Sequence, residues 1–427
     1  MALTESHAGT DLGLLKTGAK LQLDGSYKIT GTKIFISSGD HDFGGNIIHL
    51  VLARLPDAPD GVKGLSLFLV PKFLSNEQGE PNTPNDLSVG ALEQKMGIHA
   101  QPTCVINYNG AKSWLIGAPN CGLSAMFTMM NTERLFVGIQ GLGIGEAAYQ
   151  GARQYACERL QGRSLDGSRA PIPIIEHPDV RKMLLTARAL TEAGRALSAW
   201  TALQMDRAAR DQDKCRRATA EGFVALLTPV VKAALSDFGF ESAVVAQQVL
   251  GGHGYIKDWG MEQLVRDARI TQIYEGTNGV QAMDLVGRKL AYEDGNLVYK
   301  FIGLMRDDVE SLSHVAGIAE IAQEAASAID RLVVVTNAVR ANFNRPGWTG
   351  ASATDYLRLF ALVSYGWLWV KMSAKAAERR NDLSVFAEGK LQVARFFIAR
   401  ILPQTLALEA AILAGPDSIL VFDNATI

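Results

Sequence analysis

RDARITQIYEGT, residues 266–277, places the carboxylate of Glu275 directly before Gly276 and directly after the apolar pair Ile273 and Tyr274. Taken alone, this pattern is typical of a helix that ends near an exposed glutamate. The alternative is a general base held on a glycine-assisted bend against an apolar cavity, where burial would suit proton abstraction. The stretch itself leaves both interpretations open.

The sequence on the amino-terminal side of this stretch has helical periodicity. Residues 179–205 and 218–250 carry apolar side chains three and four positions apart, which predicts two long helices. Gly251 and Gly252 follow the second of these and predict where it ends. His253, in the same loop, is expected to have a structural role, because no second metal-type side chain lies at ligand spacing.

Short β-rich runs replace the helical pattern between residues 20 and 119. Asp24 and Gly25 separate two alternating runs, at residues 21–23 and 27–29, and predict a hairpin turn. Further β-rich runs lie at residues 34–36, 47–52, 65–70 and 103–108. We therefore expect a small antiparallel β domain.

Helical periodicity returns after a linker-like stretch, YEDGN, at residues 292–296. The most apolar window, YLRLFALVSYGWLWV at residues 356–370, has 15 residues, whereas crossing a bilayer takes about 20. A buried core helix is expected there, in a bundle that starts near residue 299 and docks on the preceding domain.

The predicted fold class is α+β, a small antiparallel β domain followed by an α-helical bundle and a second, C-terminal helical domain. We predict boundaries at residues 1–119, 120–291 and 297–427.

The composition limits the class of protein. Hydrophobic residues make up 48% of the 427 residues, which is enough for a large core. Lys and Arg total 42 against 44 Asp and Glu, and this balance argues against a nucleic-acid binder. The four cysteines lie far apart, so neither a zinc site nor a disulfide framework is predicted, and a cytoplasmic location is favoured. Residues 4–13 are too polar for a signal peptide, and we expect no transmembrane segment.

Six motifs, taken together and in this order, resemble the acyl-CoA dehydrogenase family of flavoproteins. They are LTESHAGTD (3–11), YKITGTKIFISSG (27–39), MMNTERL (129–135), CERLQGR (157–163), QVLGGHGY (248–255) and RDARITQIYEGT (266–277). Residues 93–123 and the extra helical region after residue 290 are similar to a longer bacterial branch, the 3-methylmercaptopropionyl-CoA dehydrogenase-like members. The family has an N-terminal helical domain before the first motif, and since the sequence starts inside that motif, we expect this domain to be lacking.

The resemblance implies α,β-dehydrogenation of an acyl-CoA thioester to a trans-2-enoyl-CoA, a reaction of fatty acid β-oxidation. FAD is the implied cofactor, and an electron-transfer flavoprotein is the implied electron acceptor. In this reaction a base removes the α-proton while a hydride leaves the β-carbon for flavin N5, and hydrogen-bond donors stabilise charge on the thioester oxygen.

Two glutamates match positions at which family members carry the base. Glu275 matches the usual base, and its main-chain N–H resembles one of the two donors to the thioester oxygen. Glu133 is the alternative, because some members have a glutamate directly before the arginine that corresponds to Arg134. We expect Glu275 to be the base, since Arg134 would hold Glu133 ionised, whereas Ile273 and Tyr274 give Glu275 a less polar setting.

The resemblance also assigns residues to the two ligands, with no metal ion. The residues implied for FAD are Met1, Leu3, Thr4, Thr10, Phe35, Ser37, Arg159, Gln161, Gln248, Gly251, Gly252 and Thr277, and those implied for acyl-CoA are Asn131, Arg134 and Gly276. Ser37 resembles the hydroxyl that hydrogen-bonds flavin N5. Arg159 and Gln248 resemble residues that reach the FAD of a neighbouring subunit, so a homodimer is implied.

Two other functions are compatible with the same sequence. An acyl-CoA oxidase would use the same proton abstraction but would let oxygen reoxidise the flavin. A non-catalytic scaffold on the same fold is the second alternative, because the N-terminal helical domain is expected to be lacking.

Overall fold

The computed structural model describes residues 1–164, 170–381, 384–423 and 425. They divide into two compact units, residues 1–133 and 134–427. The first unit is mainly β-structure and the second is mainly helical, which confirms the α+β class. The division of the helical part into two domains near residue 296 stays a prediction.

The first unit contains eight strands and the start of one long helix. The strands are β1 (Gly18–Leu21), β2 (Tyr27–Ser37), β3 (Ile48–Arg54), β4 (Leu65–Pro71), β5 (Phe73–Ser75), β6 (Pro81–Pro84), β7 (Leu87–Leu92) and β8 (Thr103–Ile116). Six of them form one sheet in the order β2-β1-β3-β4-β8-β7, and a further pairing of β2 with β8 closes this sheet on itself.

The predicted hairpin is confirmed. Asp24 and Gly25 lie in the turn between β1 and β2, where the backbone N–H of Gln22 donates to the carbonyl of Ser26. Gly25 has a φ of +80°, which a residue without Cβ adopts at no steric cost. The sheet is mainly antiparallel, as expected, with one parallel strand pairing, that of β1 with β3 through Gly18 and Arg54.

The second unit consists of long helices and one small ribbon. Helix α1 (Gly122–Glu158) starts in the first unit and is followed by β9 (Leu160–Arg163) and β10 (Pro171–Pro173). The remaining helices are α2 (Pro178–Arg210), α3 (Lys214–Leu250), α4 (Met261–Arg269), α5 (Asn278–Gly287), α6 (Asn296–Leu312), α7 (Ala319–Ala341), α8 (Pro346–Glu378), α9 (Ser384–Arg400), α10 (Gln404–Leu413) and α11 (Asp417–Leu420). Helix α3 ends as predicted, at a Gly251 with a φ of +56°.

A large hydrophobic core cluster runs through the second unit, and a smaller one joins α1, α2, α3 and α4. The large cluster contains side chains from α2, α3 and α5 together with side chains from α6 to α10. In the predicted core helix, every residue from Tyr356 to Val370 is buried except Arg358, which is half-buried. The expectation of a C-terminal bundle docked on the preceding helices is therefore confirmed. The linker-like stretch forms a break, since Tyr292, Glu293 and Asp294 have non-helical backbone angles.

Two helical stretches among the described residues are long and apolar enough to cross a membrane. They are Lys214–Tyr255, whose apolar window is 78% buried in the fold, and Ser384–Leu413, whose window is 33% buried. Buried core helices satisfy the same criteria, so these two stretches are weak evidence for a membrane span. The expectation of no transmembrane segment stays a prediction.

Candidate functional site

The first motif is held against β2 by a buried ion pair. Lys33 Nζ donates to Oε1 of Glu5 at 2.9 Å and to the Leu3 carbonyl at 2.7 Å. The same carboxylate accepts from the backbone N–H groups of Lys16 and Thr17. Burial favours the neutral acid, but these donors and the charge of Lys33 outweigh it and lower the pKa of Glu5. The loop that carries Leu3 and Thr4 is therefore fixed at β2.

The second motif, residues 27–39, has a strained position beside this loop. The Ile34 N–H donates to the Thr4 carbonyl at 2.9 Å, and the next residue, Phe35, has a φ of +58°. The register of β2 on β8 shifts between Lys33 and Ile36. A left-handed backbone is unfavourable for a bulky residue. Phe35 is 59% exposed at this bulge.

The side chains near this bulge suit a flat aromatic ligand. Phe35 offers an exposed ring for stacking, and the exposed Ser37 offers a hydroxyl two residues further on. Thr10 is also exposed, whereas Met1, Leu3 and Thr4 are half-buried. The exposed ring and the nearby hydroxyls match the chemistry of an isoalloxazine, so these residues fit the FAD that the resemblance implies.

Glu275 lies on a bend, as the second interpretation of its motif requires. Its φ is +57° and that of Gly276 is +82°, so two consecutive residues are left-handed. The bend ends at Thr277, whose side chain caps α5 by accepting from the Val280 N–H. Gln281 Nε2 donates to the carbonyls of Glu275 and Gly276, each at 3.3 Å. These contacts fix the backbone of the bend.

The surroundings of Glu275 are more polar than expected. Ile273 is 45% exposed, and the Tyr274 hydroxyl donates to Gln140, so this pair does not enclose the carboxylate in an apolar cavity. Two cations act on Glu275 instead, because its charge raises the pKa of both Arg134 and Lys232 against the lowering that burial causes. The expectation of a less polar setting is therefore wrong.

Arg134 contributes to this polar region from α1. It is 6% exposed, and its Nη1 lies 3.7 Å from Asp284 Oδ2. Asp284 also accepts from Arg288 Nε at 2.6 Å. Arg134 thus forms an ion pair with a carboxylate of α5, and its expected effect on Glu133 stays a prediction. Binding of acyl-CoA by Arg134, by the half-buried Gly276 and by the exposed Asn131 stays a prediction.

A buried polar network behind the bend escaped the sequence analysis. Lys232 Nζ donates to Asn278 Oδ1 at 2.8 Å, and Asn278 Nδ2 donates to Asp237 Oδ1 at 2.6 Å. Gln272 donates to the same oxygen of Asp237, also at 2.6 Å. The only sequence signal for these residues is that Lys232 and Asp237 are the sole charged residues between Glu221 and Glu241.

Five further residues among those implied for FAD are exposed. They are Arg159, Gln161, Gln248, Gly251 and Gly252. The end of α1 and the turn after α3 are joined by a 2.8 Å hydrogen bond between the Tyr155 hydroxyl and His253 Nδ1.

His253 also stacks on Trp259, so its expected structural role is confirmed. A Cβ added to Gly251 or Gly252 meets no atom within 4 Å, so both backbones are open to an approaching ligand. Among the described residues, no group of three or more His, Cys, Asp and Glu could hold a metal ion.

Three family descriptions match successive parts of the chain. The acyl-CoA dehydrogenase middle domain matches residues 1–111, the acyl-CoA dehydrogenase C-terminal domain matches residues 120–290, and the acetyl-CoA dehydrogenase C-terminal-like domain matches residues 301–423. The chain belongs to the acyl-CoA dehydrogenase family, whose members are oxidoreductases that dehydrogenate acyl-CoA with FAD. The expected family, enzyme class and cofactor are confirmed at this level.

The relatives also identify the branch. The chain is 42% identical to 3-methylmercaptopropionyl-CoA dehydrogenase of Ruegeria pomeroyi over 98% of its own length and 72% of that protein's. Caenorhabditis elegans ACDH-11, solved in complex with C11-CoA, has the same fold, with a TM-score of 0.79, 22% identity and coverage of 100% of this chain and 68% of that one. An acyl-CoA dehydrogenase from Bacillus anthracis, complexed with FAD, has a TM-score of 0.75, 20% identity and coverage of 97% and 68%.

Proposed function

We propose that the protein converts an acyl-CoA thioester to its trans-2-enoyl-CoA with FAD as the cofactor and Glu275 as the base. The observation that carries this proposal is the bend at Glu275, where two left-handed residues are held by Gln281 and capped by Thr277. Strained backbone of this kind persists only where surrounding contacts maintain it, and such positions cluster at functional sites. Family membership supplies the reaction class.

In the proposed reaction, the Glu275 carboxylate takes the proton from the α-carbon of the thioester. The main-chain N–H of Glu275 donates to the thioester oxygen, where negative charge develops as the proton leaves. Arg134 and Lys232 favour the carboxylate form of Glu275 before substrate binds, because opposite charges stabilise it. When bound, FAD supplies the acceptor for the hydride from the β-carbon.

Two exposed surfaces support the placement of FAD. Phe35 and Ser37 would hold the flavin ring, together with the half-buried Thr4 of the first loop. Arg159 and Gln248 would contact the FAD of a second copy, so the protein acts as a homodimer in this proposal. Electrons would pass to an electron-transfer flavoprotein, in the cytoplasm and as part of fatty acid β-oxidation.

The test is an assay of the purified protein with FAD and a panel of acyl-CoA esters of different chain lengths. Bleaching of the flavin absorbance, with one enoyl-CoA formed per two electrons passed to an added acceptor, is the expected result. Hydrogen peroxide released in step with enoyl-CoA would instead identify an oxidase. A protein that binds no flavin and changes no ester would refute the proposal and favour a scaffold.

A further inference from the structure

Lys232 is a charged side chain in the interior of the second unit. It lies on α3 and is 0% exposed. Burying an ammonium group is costly unless other charges and hydrogen bonds compensate for it. Burial lowers the pKa of Lys232 to about 8, so the side chain still carries its charge at neutral pH.

The partner of Lys232 belongs to the bend that carries Glu275. Asn278, which accepts from Lys232 Nζ at 2.8 Å, is the first residue of α5 and lies three residues after Glu275. The Asn278 side chain also donates to Asp237 Oδ1 at 2.6 Å and to Ser236 Oγ at 3.0 Å. Both are α3 residues, so the bend is tied to α3 through Asn278.

The charged groups around Lys232 come from three directions. Asp237 on the same helix and Glu275 on the bend favour its charged form, whereas Arg134 on α1 opposes it. Arg134 is itself balanced by Asp284 of α5, which also pairs with Arg288. Arg134 therefore has its own buried counter-ion on α5, and Lys232 is a second buried cation that acts on Glu275.

We propose that Lys232 is a positioning residue for Glu275, which fixes the bend through Asn278 and holds the Glu275 side chain in its carboxylate form. This inference rests on the proposed role of Glu275. Lys232 touches neither substrate nor cofactor in this proposal, and it acts on the base from behind the bend. Loss of Lys232 changes the pH at which Glu275 takes up a proton, whereas loss of an ordinary packing residue would leave that pH unchanged.

The experiment follows the carboxyl carbon of Glu275 by ¹³C NMR during a pH titration. The 427-residue protein is labelled at glutamate Cδ and kept with FAD, and the Glu275 signal is assigned by its disappearance in Glu275→Gln. Lys232→Met removes the charge and the hydrogen bond at similar volume. Lys232→Gln removes the charge but keeps a donor for Asn278, and it is the second variant if Lys232→Met does not fold.

A matched control is available one helical turn earlier. Thr228 is buried on α3, and its hydroxyl donates to a carbonyl of its own helix, that of Val224, at 2.7 Å. Thr228→Val changes a buried polar group of this helix without touching the bend. Its titration midpoint for Glu275 should equal that of the unmodified protein.

Both Lys232 variants should move the Glu275 midpoint upward, by about half a pH unit or more, since a neighbouring cation favours the carboxylate. Equal midpoints in the folded variants and the unmodified protein would overturn the proposal. An upward shift in a protein that forms no enoyl-CoA would refute the proposed function and leave the coupling of Lys232 to Glu275 standing. Enoyl-CoA formation with unchanged midpoints would support the proposed function and overturn the proposed role of Lys232.

Discussion

The Nζ atom of Lys33 lies 2.9 Å from Oε1 of Glu5, and both side chains are buried. Lys33 belongs to β2, two residues before the strained Phe35, whereas Glu5 belongs to the first loop. One ion pair therefore fixes the two segments that carry the residues implied for the flavin ring. Its contribution to folding and the roles of the site residues can each be measured.

Removing one partner of this ion pair should cost about 3–5 kcal/mol of unfolding free energy, because the other charge would stay buried alone. Lys33→Met is the variant, and urea unfolding is the measurement. Lys112→Met is the control, since Lys112 pairs with Asp24 at an exposed position and exposed pairs contribute at most about 1 kcal/mol. Equal losses in the two variants would contradict this prediction.

The same ion pair should make stability fall in acid. The folded-state pKa of Glu5 is lowered, so its stabilisation is complete above the ordinary carboxyl pKa and is lost as the pH falls from there towards the folded value. Glu5→Gln should flatten this part of the curve of unfolding free energy against pH. If the unfolding free energy of Glu5→Gln falls in acid as steeply as that of the unmodified protein, other carboxylates cause the fall.

Glu275→Gln should abolish flavin bleaching by acyl-CoA. The rate should fall by at least about 10²–10⁴-fold, which is the loss that removal of a general base causes. Glu133→Gln should keep most of the rate. Stopped-flow absorbance of the FAD-loaded protein is the measurement. The opposite pattern would assign the base to Glu133.

Phe35→Gly should separate stability from cofactor binding. Glycine adopts a positive φ without the penalty of roughly 1–2 kcal/mol for a side chain, so the FAD-free protein should lose little stability or gain some. FAD affinity should fall, because the exposed ring is removed. Calorimetry without FAD and fluorescence titration with FAD are the two measurements, and unchanged affinity would remove Phe35 from the cofactor site.

Gly31→Ala should destabilise the first unit, because a Cβ at this position would lie 2.4 Å from Thr17 Oγ1, at a φ of +152°. We expect a loss of about 1–3 kcal/mol, as for overpacked positions. Gly18→Ala is the matched strand control, since a Cβ there meets nothing within 4 Å. A loss in Gly18→Ala as large as that in Gly31→Ala would contradict the steric explanation.

Features set by neighbouring residues could be predicted from the sequence. The turn at Asp24 and Gly25, the end of α3 at Gly251 and the buried helix around Trp367 each follow from a local pattern of turn residues, glycine or apolar spacing. The α+β class follows from the change near residue 120 from short β-rich runs to helical periodicity.

Features that join distant residues could not be predicted in this way. Lys33 and Glu5 are 28 residues apart, and Lys232 and Asn278 are 46 residues apart. Periodicity describes only one element at a time, so it gives a buried lysine no partner. The setting of Glu275 is an example, since its sequence neighbours are apolar whereas the cations near it come from α1 and α3.

The closure of the sheet by β2 and β8 also affects how the first unit meets other chains. An open sheet exposes two rows of unpaired backbone groups, and each is a template on which a strand from another molecule can add. In the closed sheet, β7 is left as an outer strand on β8, and its pairing is interrupted by a shift between Val89 and Ala91. Such an irregularity hinders further strand addition. Closure thereby removes two edges of the larger sheet from intermolecular strand addition, while Phe35 at its bulge stays exposed.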